Sequence, residues 1–183
     1  MVMKYFMFII FGLSLFACNN IKKSEKKVVE EAVVEINKNI AIRDIELEVF
    51  DFNGLEKLLN QKDGKVYVIN FWATWCAPCV KELPYFEKLN TEYKGKNVEV
   101  ILVSLDFPHV YDSKLKPFIR DKKIASKVVA LDDADMNTWI PKVDETWSGS
   151  IPATVIYKND ERRFFEKSFT YEALEAEIKP FLK

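Results

Sequence analysis

Residues 66–72 read Val-Tyr-Val-Ile-Asn-Phe-Trp, a continuous run of β-branched and aromatic residues broken by a single amide, and four residues past its end stands Cys76-Ala77-Pro78-Cys79. Such a run suits a strand buried on both faces. Past the second cysteine the pattern changes period. Val80, Leu83, Phe86 and Leu89 recur at helical spacing, and Gly95 ends the stretch. The chain therefore passes from a buried strand, through a Cys-x-x-Cys, into a helix. Few architectures accommodate that order.

The remaining pattern repeats the theme. Ile45, Leu47 and Val49 alternate with charged residues, as in a half-buried strand. A short helix is expected over 54–60, a turn at Asp63-Gly64, and a second buried strand over 98–105. A helix over 112–122, a strand over 127–131 and a strand over 154–157 follow. Asn159-Asp160 turns the chain into 163–167, and a closing helix over 171–181 places Leu174 and Ile178 inward. Strands alternating with helices predict an α/β domain with a partly parallel sheet. A hydrophobic fraction of 49% over 183 residues supplies its core and excludes global disorder.

Counting residue types removes several functions. A net charge of −1 argues against a nucleic-acid partner. The single histidine, His109, excludes a histidine-rich metal site, and three cysteines are too few for a disulfide-stapled mini-scaffold. The odd cysteine is Cys18. It closes a thirteen-residue apolar run, residues 5–17, that follows Lys4. A membrane-spanning helix needs about 20 apolar residues, so this run fits the core of a secretory signal peptide. Leu15-Phe16-Ala17-Cys18 looks like a bacterial lipobox, in which the cysteine is lipidated and becomes the first mature residue. An ordinary signal peptide with a chance cysteine is the alternative. The organisation expected is a signal peptide over 1–17, a lipidated cysteine and tether over 18–43, and the α/β domain over 44–183. The tether is rich in Lys, Glu and Asn. As a coil its 25 residues would span roughly 25–30 Å, and Val29, Val33, Ile36 and Ile40 allow a short amphipathic helix instead. The location implied is extracytoplasmic and membrane-anchored, on the periplasmic side.

The chemistry sits at Trp75-Cys76-Ala77-Pro78-Cys79. A helix N-terminus offers unpaired N–H groups and partial positive charge, and both favour thiolate over thiol at Cys76. A pKa moved from about 8.5 to about 7 raises the thiolate fraction at neutral pH from about 3% to about 50%. Nucleophilicity falls with pKa, so attack accelerates only about threefold. The greater effect is on leaving-group quality and redox poise. Cys79, one turn on, can resolve a mixed disulfide intramolecularly. Three other readings stand beside this one. A structural disulfide across so small a loop would constrain the unfolded chain little. A zinc half-site lacks further ligands, since zinc takes about four. Haem attachment wants a histidine directly after the second cysteine, where this chain has Val80.

The stretch Asn70 through Pro84, NFWATWCAPCVKELP, resembles the TlpA-like and ResA-like membrane-anchored thiol–disulfide oxidoreductases of the thioredoxin superfamily. The resemblance covers roughly residues 45–183. It implies a thioredoxin fold, a central mixed sheet flanked by helices, with an extra N-terminal strand and an inserted helix–strand unit near 107–140. Gly149-Ser150-Ile151-Pro152-Ala153-Thr154 resembles the loop carrying the family's cis-proline. A strand-entry proline is the alternative for Pro152. Thioredoxins proper carry an acid where this chain has Asn70. Glu82, three residues after Cys79, matches a family glutamate implicated in proton handling. A buried carboxylate of raised pKa could take the Cys79 proton, whereas an exposed one would merely complement the helix dipole.

The resemblance thus implies an extracytoplasmic protein disulfide reductase with no cofactor beyond the Cys76–Cys79 disulfide. Cys76, Cys79 and Glu82 would be catalytic, and Trp75, Ala77, Pro78, Ile151 and Pro152 would contact substrate. The partners implied are disulfide-bearing exported proteins, apocytochromes among them in cytochrome c maturation, and a membrane thiol electron donor. Trp75 and Trp147 are expected to rim the site and Trp72 to lie in the core. Asp106 is read as a turn-former and His109 as a solvated loop residue. Asp132, Asp133 and Asp135 form an acidic cluster read as a helix cap, with a weak cation site as the alternative. Two rival functions remain: a thiol peroxidase of the same fold, and a non-catalytic binding module or chaperone with a structural disulfide.

Overall fold

In the computed structural model the run at 66–72 is a strand whose seven side chains are all buried, and the sheet is built outward from it. The structure describes residues 45–183 and, before them, Val28, Glu30, Glu31 and Val34, which are helical and exposed. The apolar leader, Cys18, and Val29, Val33, Ile36 and Ile40 of the tether lie outside the described residues. Ile45–Lys183 form a unit of their own.

Six strands make one sheet: β1 (Glu48–Phe50), β2 (Val66–Trp72), β3 (Val98–Ser104), β4 (Lys127–Leu131), β5 (Ala153–Lys158) and β6 (Glu161–Phe165), in the order β1-β4-β3-β2-β5-β6. The β1–β4, β4–β3 and β3–β2 pairs are parallel, and the β2–β5 and β5–β6 pairs are antiparallel. The α-helices described from Ile45 onward are α1 (Phe52–Leu58), α2 (Ala77–Tyr93), α3 (Lys116–Asp121), α4 (Met136–Val143) and α5 (Tyr171–Ile178). Alternate residues of β2 enter opposite cores. Val66, Val68 and Trp72 pack with Leu83, Phe86 and Leu89 of α2 and with Leu174 and Ile178 of α5. Tyr67, Ile69 and Phe71 pack with Leu55 of α1 and with Trp139 and Val143 of α4. Each such apolar side chain contributes about 1.5–3 kcal/mol on full burial. That packing carries α2 straight through Pro84, which lies inside the helix and would by itself cost about 3 kcal/mol. Gly95, at φ +78°, follows the end of α2 in a conformation that side-chain-bearing residues resist.

Several elements differ from the sequence expectation. The N-terminal strand is only three residues long, and Val49 is 46% exposed because β1 is an edge strand. Ile45 and Leu47 precede the strand and pack on the core from there. The helix expected over 112–122 opens as a wide turn, Tyr111–Leu115, before tightening into α3. The inserted helix–strand unit expected near 107–140 is present. Its strand, β4, is inserted between β1 and β3. Of the acidic cluster, Asp135 is the N-cap residue of α4, but its carboxylate accepts the Thr138 hydroxyl (2.7 Å) and not a backbone amide. Asp133 instead accepts the Phe52 amide at 3.1 Å, tying α4's entry to the start of α1.

Candidate active site

Topology brings three loops to one edge of the sheet. Strand β2 ends there and leads into Thr74–Cys76. Strand β3, parallel to β2, ends beside it and leads into Asp106. Strand β5, antiparallel to β2, begins there after Ile151-Pro152. The crevice beyond strand ends is where open α/β sheets hold ligands.

Cys76 is the N-cap residue of α2, and its Sγ accepts the Cys79 N–H at 3.3 Å. The two cysteines form a disulfide with a Cα–Cα separation of 5.3 Å. Cys79 is fully buried and Cys76 is 6% exposed, while Trp75, Ala77 and Pro78 around them are exposed. Pro78 falls in the first helical turn, where its missing N–H leaves no intrahelical bond unmade. The Ile151–Pro152 peptide bond is cis. The Ile151 carbonyl oxygen lies 3.7 Å from Cys76 Sγ, so this loop does face the outer sulfur.

Behind the inner sulfur's helical turn, Glu82 is 1% exposed. Its Oε1 accepts from Asn70 Nδ2 (3.0 Å) and its Oε2 from the Phe169 N–H (2.7 Å). Burial raises its pKa to about 7 against the opposing pull of those two donors. Glu82 is thus a buried acid poised near neutrality, not an exposed helix-end charge. Asn70 also donates to Thr154 Oγ1 at 3.1 Å.

Residues 39–162 match the AhpC/TSA family. The chain belongs to that family. Among curated relatives, the thiol-disulfide oxidoreductase ResA of Oceanobacillus iheyensis is 54% identical over 48 residues, which is 26% of this chain and 25% of that protein. The ResA of Halalkalibacterium halodurans is 39% identical over 72 residues, 39% of this chain and 37% of its own length. The match thus spans well under half of either relative. In architecture the chain is similar to a secreted thiol-disulfide isomerase of Corynebacterium glutamicum, with a TM-score of 0.55 at 18% identity, covering 65% of this chain and 71% of that one. It is also similar to a DsbF homologue of Corynebacterium diphtheriae, with a TM-score of 0.53 at 20% identity over 64% and 72% of the two chains. The thioredoxin-like fold is the content of both structural likenesses.

Two carboxylates brace this edge in ways that sequence reasoning missed. Asp106, 1% exposed, accepts the Thr74 N–H (2.9 Å), the Thr74 hydroxyl (2.5 Å) and the Ser104 hydroxyl (2.9 Å). It anchors the loop that delivers Cys76 and does more than form a turn. Glu166, just past β6, accepts the Ser148 and Ser150 amides at 3.0 and 3.2 Å and also bonds the Ser148 hydroxyl. It holds the loop that presents Ile151. Those bonds, led by the Ser148 hydroxyl, keep its carboxyl below the ordinary range. Trp147 is a correction. It is 5% exposed, packs on Phe71, Trp139 and Phe164 with centroids 4.8, 5.6 and 5.8 Å away, and rims nothing. Its indole N–H donates to the Ser150 carbonyl at 2.8 Å. Trp75 does stand at the rim, 60% exposed, and Trp72 lies in the core.

Proposed function

We propose that this chain is an extracytoplasmic protein disulfide reductase working through Cys76 and Cys79. The observation that carries the reading is the disulfide at the N-terminus of α2, its outer sulfur facing the Ile151–Pro152 loop. In the reduced protein the Cys76 thiolate attacks one sulfur of a substrate disulfide and expels the other as thiolate. The Cys79 thiolate then attacks the Cys76 sulfur. The Cys76–Cys79 disulfide re-forms and the second substrate thiol leaves, so two electrons pass from protein to substrate. Glu82 accepts the Cys79 proton before this second step, and a pKa near 7 suits a base at neutral pH. The Ile151 backbone pairs with an extended substrate segment by strand addition. A membrane dithiol donor restores the reduced form.

The substrates proposed are exported proteins bearing disulfides, including apocytochrome cysteines before haem attachment, and Cys18 would carry the lipid anchor. No cofactor beyond the cysteine pair is called for. Among the described residues no helix is long and apolar enough to cross a membrane. The thiol-peroxidase alternative wants Pro-x-x-x-Thr-x-x-Cys, and this chain has Ala73, fully buried, where the threonine would stand. An insulin-reduction assay tests the proposal. Dithiol-loaded native protein should precipitate insulin chains, and Cys76→Ser should not. Full activity in Cys76→Ser overturns the mechanism. A Cys79→Ala variant expressed in the source cell should retain its substrates as mixed disulfides. Cytochromes alone on that variant mean maturation, and many unrelated proteins mean general reduction.

A further inference from the structure

Among the described residues only two aromatic side chains are left broadly exposed, Trp75 at 60% and Phe107 at 61%, and both line one cleft. The cleft has a volume of about 480 Å³, and Thr74, His109, Lys114 and Phe118 also border it. Scattered exposed apolar residues are ordinary, but two aromatic rings converging on one cleft are not. Folding could have covered them, since every other tryptophan is buried. The cleft is also firmly built. Asp106 fixes Thr74 on one wall and immediately precedes Phe107 on the other. The His109 ring stacks against Phe107 at 5.8 Å and 16°. The charged groups of its lining are Lys114, Asp121 and Asp106, the last of which is turned to Thr74 and Ser104.

Its position says what occupies it. The two sheet neighbours of β2 are β3 and β5. The Ile151–Pro152 loop approaches Cys76 from the β5 side, and Phe107 follows β3 on the opposite side. A polypeptide joined to Cys76 and paired with Ile151 therefore has its other flank directed over Trp75 toward Phe107. We infer that Trp75 and Phe107 form a side-chain subsite selecting polypeptide disulfides that carry an aromatic or large aliphatic residue next to the reacting cysteine. The inference rests on the reductase reading and adds a specificity to it. Selection comes from apolar area removed from water, which here amounts to partial burial of one large side chain on two rings.

Two synthetic peptides, each with one internal disulfide and differing only in phenylalanine or serine beside the attacked cysteine, test it. Hydroxyethyl disulfide serves as a third substrate with no polypeptide. The native reduced protein should reduce the phenylalanine peptide about tenfold faster than the serine peptide. Phe107→Ser should bring that ratio to about one, and Phe107→Trp should keep it. The ratio is internal, so a change in overall rate does not disturb it. Equal native rates overturn the inference, as does an undiminished ratio in Phe107→Ser. Those outcomes leave the reductase reading standing when hydroxyethyl disulfide is reduced. A native protein inert toward all three substrates overturns the reductase reading and this inference with it.

Discussion

Asn70 Nδ2 donates to Glu82 Oε1 over 3.0 Å, while the equally buried Asn70 Oδ1 has no partner among the described residues. A buried acceptor left unpaired costs about 1–3 kcal/mol. The same amide that donates to the carboxylate carries an idle acceptor. Turned over, it would receive an O–H or N–H from position 82. A strand position that is acidic in thioredoxins is here an amide suited to a neighbour of either charge.

The pH dependence of stability follows from that burial. The pKa of Glu82 rises from an ordinary 4.5 to about 7 on folding, chiefly through desolvation. The unfolded chain therefore loses this proton first as pH rises. Stability should fall between about pH 4.5 and pH 7 and level off above, by about 3 kcal/mol. Glu82→Gln removes the titrating group, and Asn70 can offer its idle Oδ1 to the new amide. The variant should lack this slope and be the more stable protein at pH 8. Urea unfolding of both proteins at pH 5 and pH 8 decides it. Parallel shifts in the two proteins would mean that Glu82 is not the group responsible. If Glu82 takes the Cys79 proton, the same variant should also lose the inflection near pH 7 in the rate of mixed-disulfide resolution.

Local signals fared well here and distant ones did not. The strand at 66–72 and the helix from 77 were legible because their periods, two cores for one and three-to-four spacing for the other, are set within a few residues. The cis bond before Pro152 came from a resemblance, because nothing local distinguishes it from a strand-entry proline. Trp147 misled because an aromatic next to a glycine-containing loop reads as rim. Only the fold brings Phe71, Trp139 and Phe164 around it. The braces of Asp106 and Glu166 left no trace in the sequence. Apart from Ser104, two residues before Asp106, their partners lie 32 and 16–18 residues away, beyond any turn or helix period.

The two tryptophans nearest the site in sequence reasoning should behave oppositely. Trp75→Ala removes a side chain that is 60% exposed and should change stability by less than about 1 kcal/mol. Trp147→Ala opens a cavity among three aromatic rings and frees the Ser150 carbonyl. It should cost about 3–5 kcal/mol. Guanidinium chloride midpoints of the pair measure the contrast. Equal midpoints would contradict the packing described.

Asp106→Ala should be costly for a different reason. It deletes one buried carboxylate and leaves the Thr74 amide, the Thr74 hydroxyl and the Ser104 hydroxyl without their acceptor. A loss of about 2–4 kcal/mol is expected. Thr74→Val, which keeps the backbone bond and removes the hydroxyl, should cost about 1 kcal/mol. The loop carrying Cys76 would loosen in the first variant more than in the second. Alkylation of the reduced protein by iodoacetamide should therefore lose its preference for Cys76 over Cys79 chiefly in Asp106→Ala. A preference unchanged in that variant would show that the loop holds its place without the brace.

Glu166 acts on the Ile151 side of the same crevice. Its carboxylate receives two amides from a loop that turns at Gly149, φ +91°, one residue short of Ser150 and two short of Ile151. Its lowered pKa keeps it ionised throughout the neutral range, so the brace should be insensitive to pH between about 6 and 9. Glu166→Ala releases both amides and lets the Ile151 backbone move. In steady-state reduction of insulin the KM should rise several-fold, with kcat little changed, because a template for the bound segment is lost and the sulfur chemistry is not. Glu166→Gln retains two acceptor lone pairs on one oxygen and should recover part of the loss. Reduction of hydroxyethyl disulfide, which has no backbone to pair, should be nearly indifferent to either substitution. A Glu166→Ala variant that slows both substrates equally would show that the brace supports Cys76 and not the substrate strand.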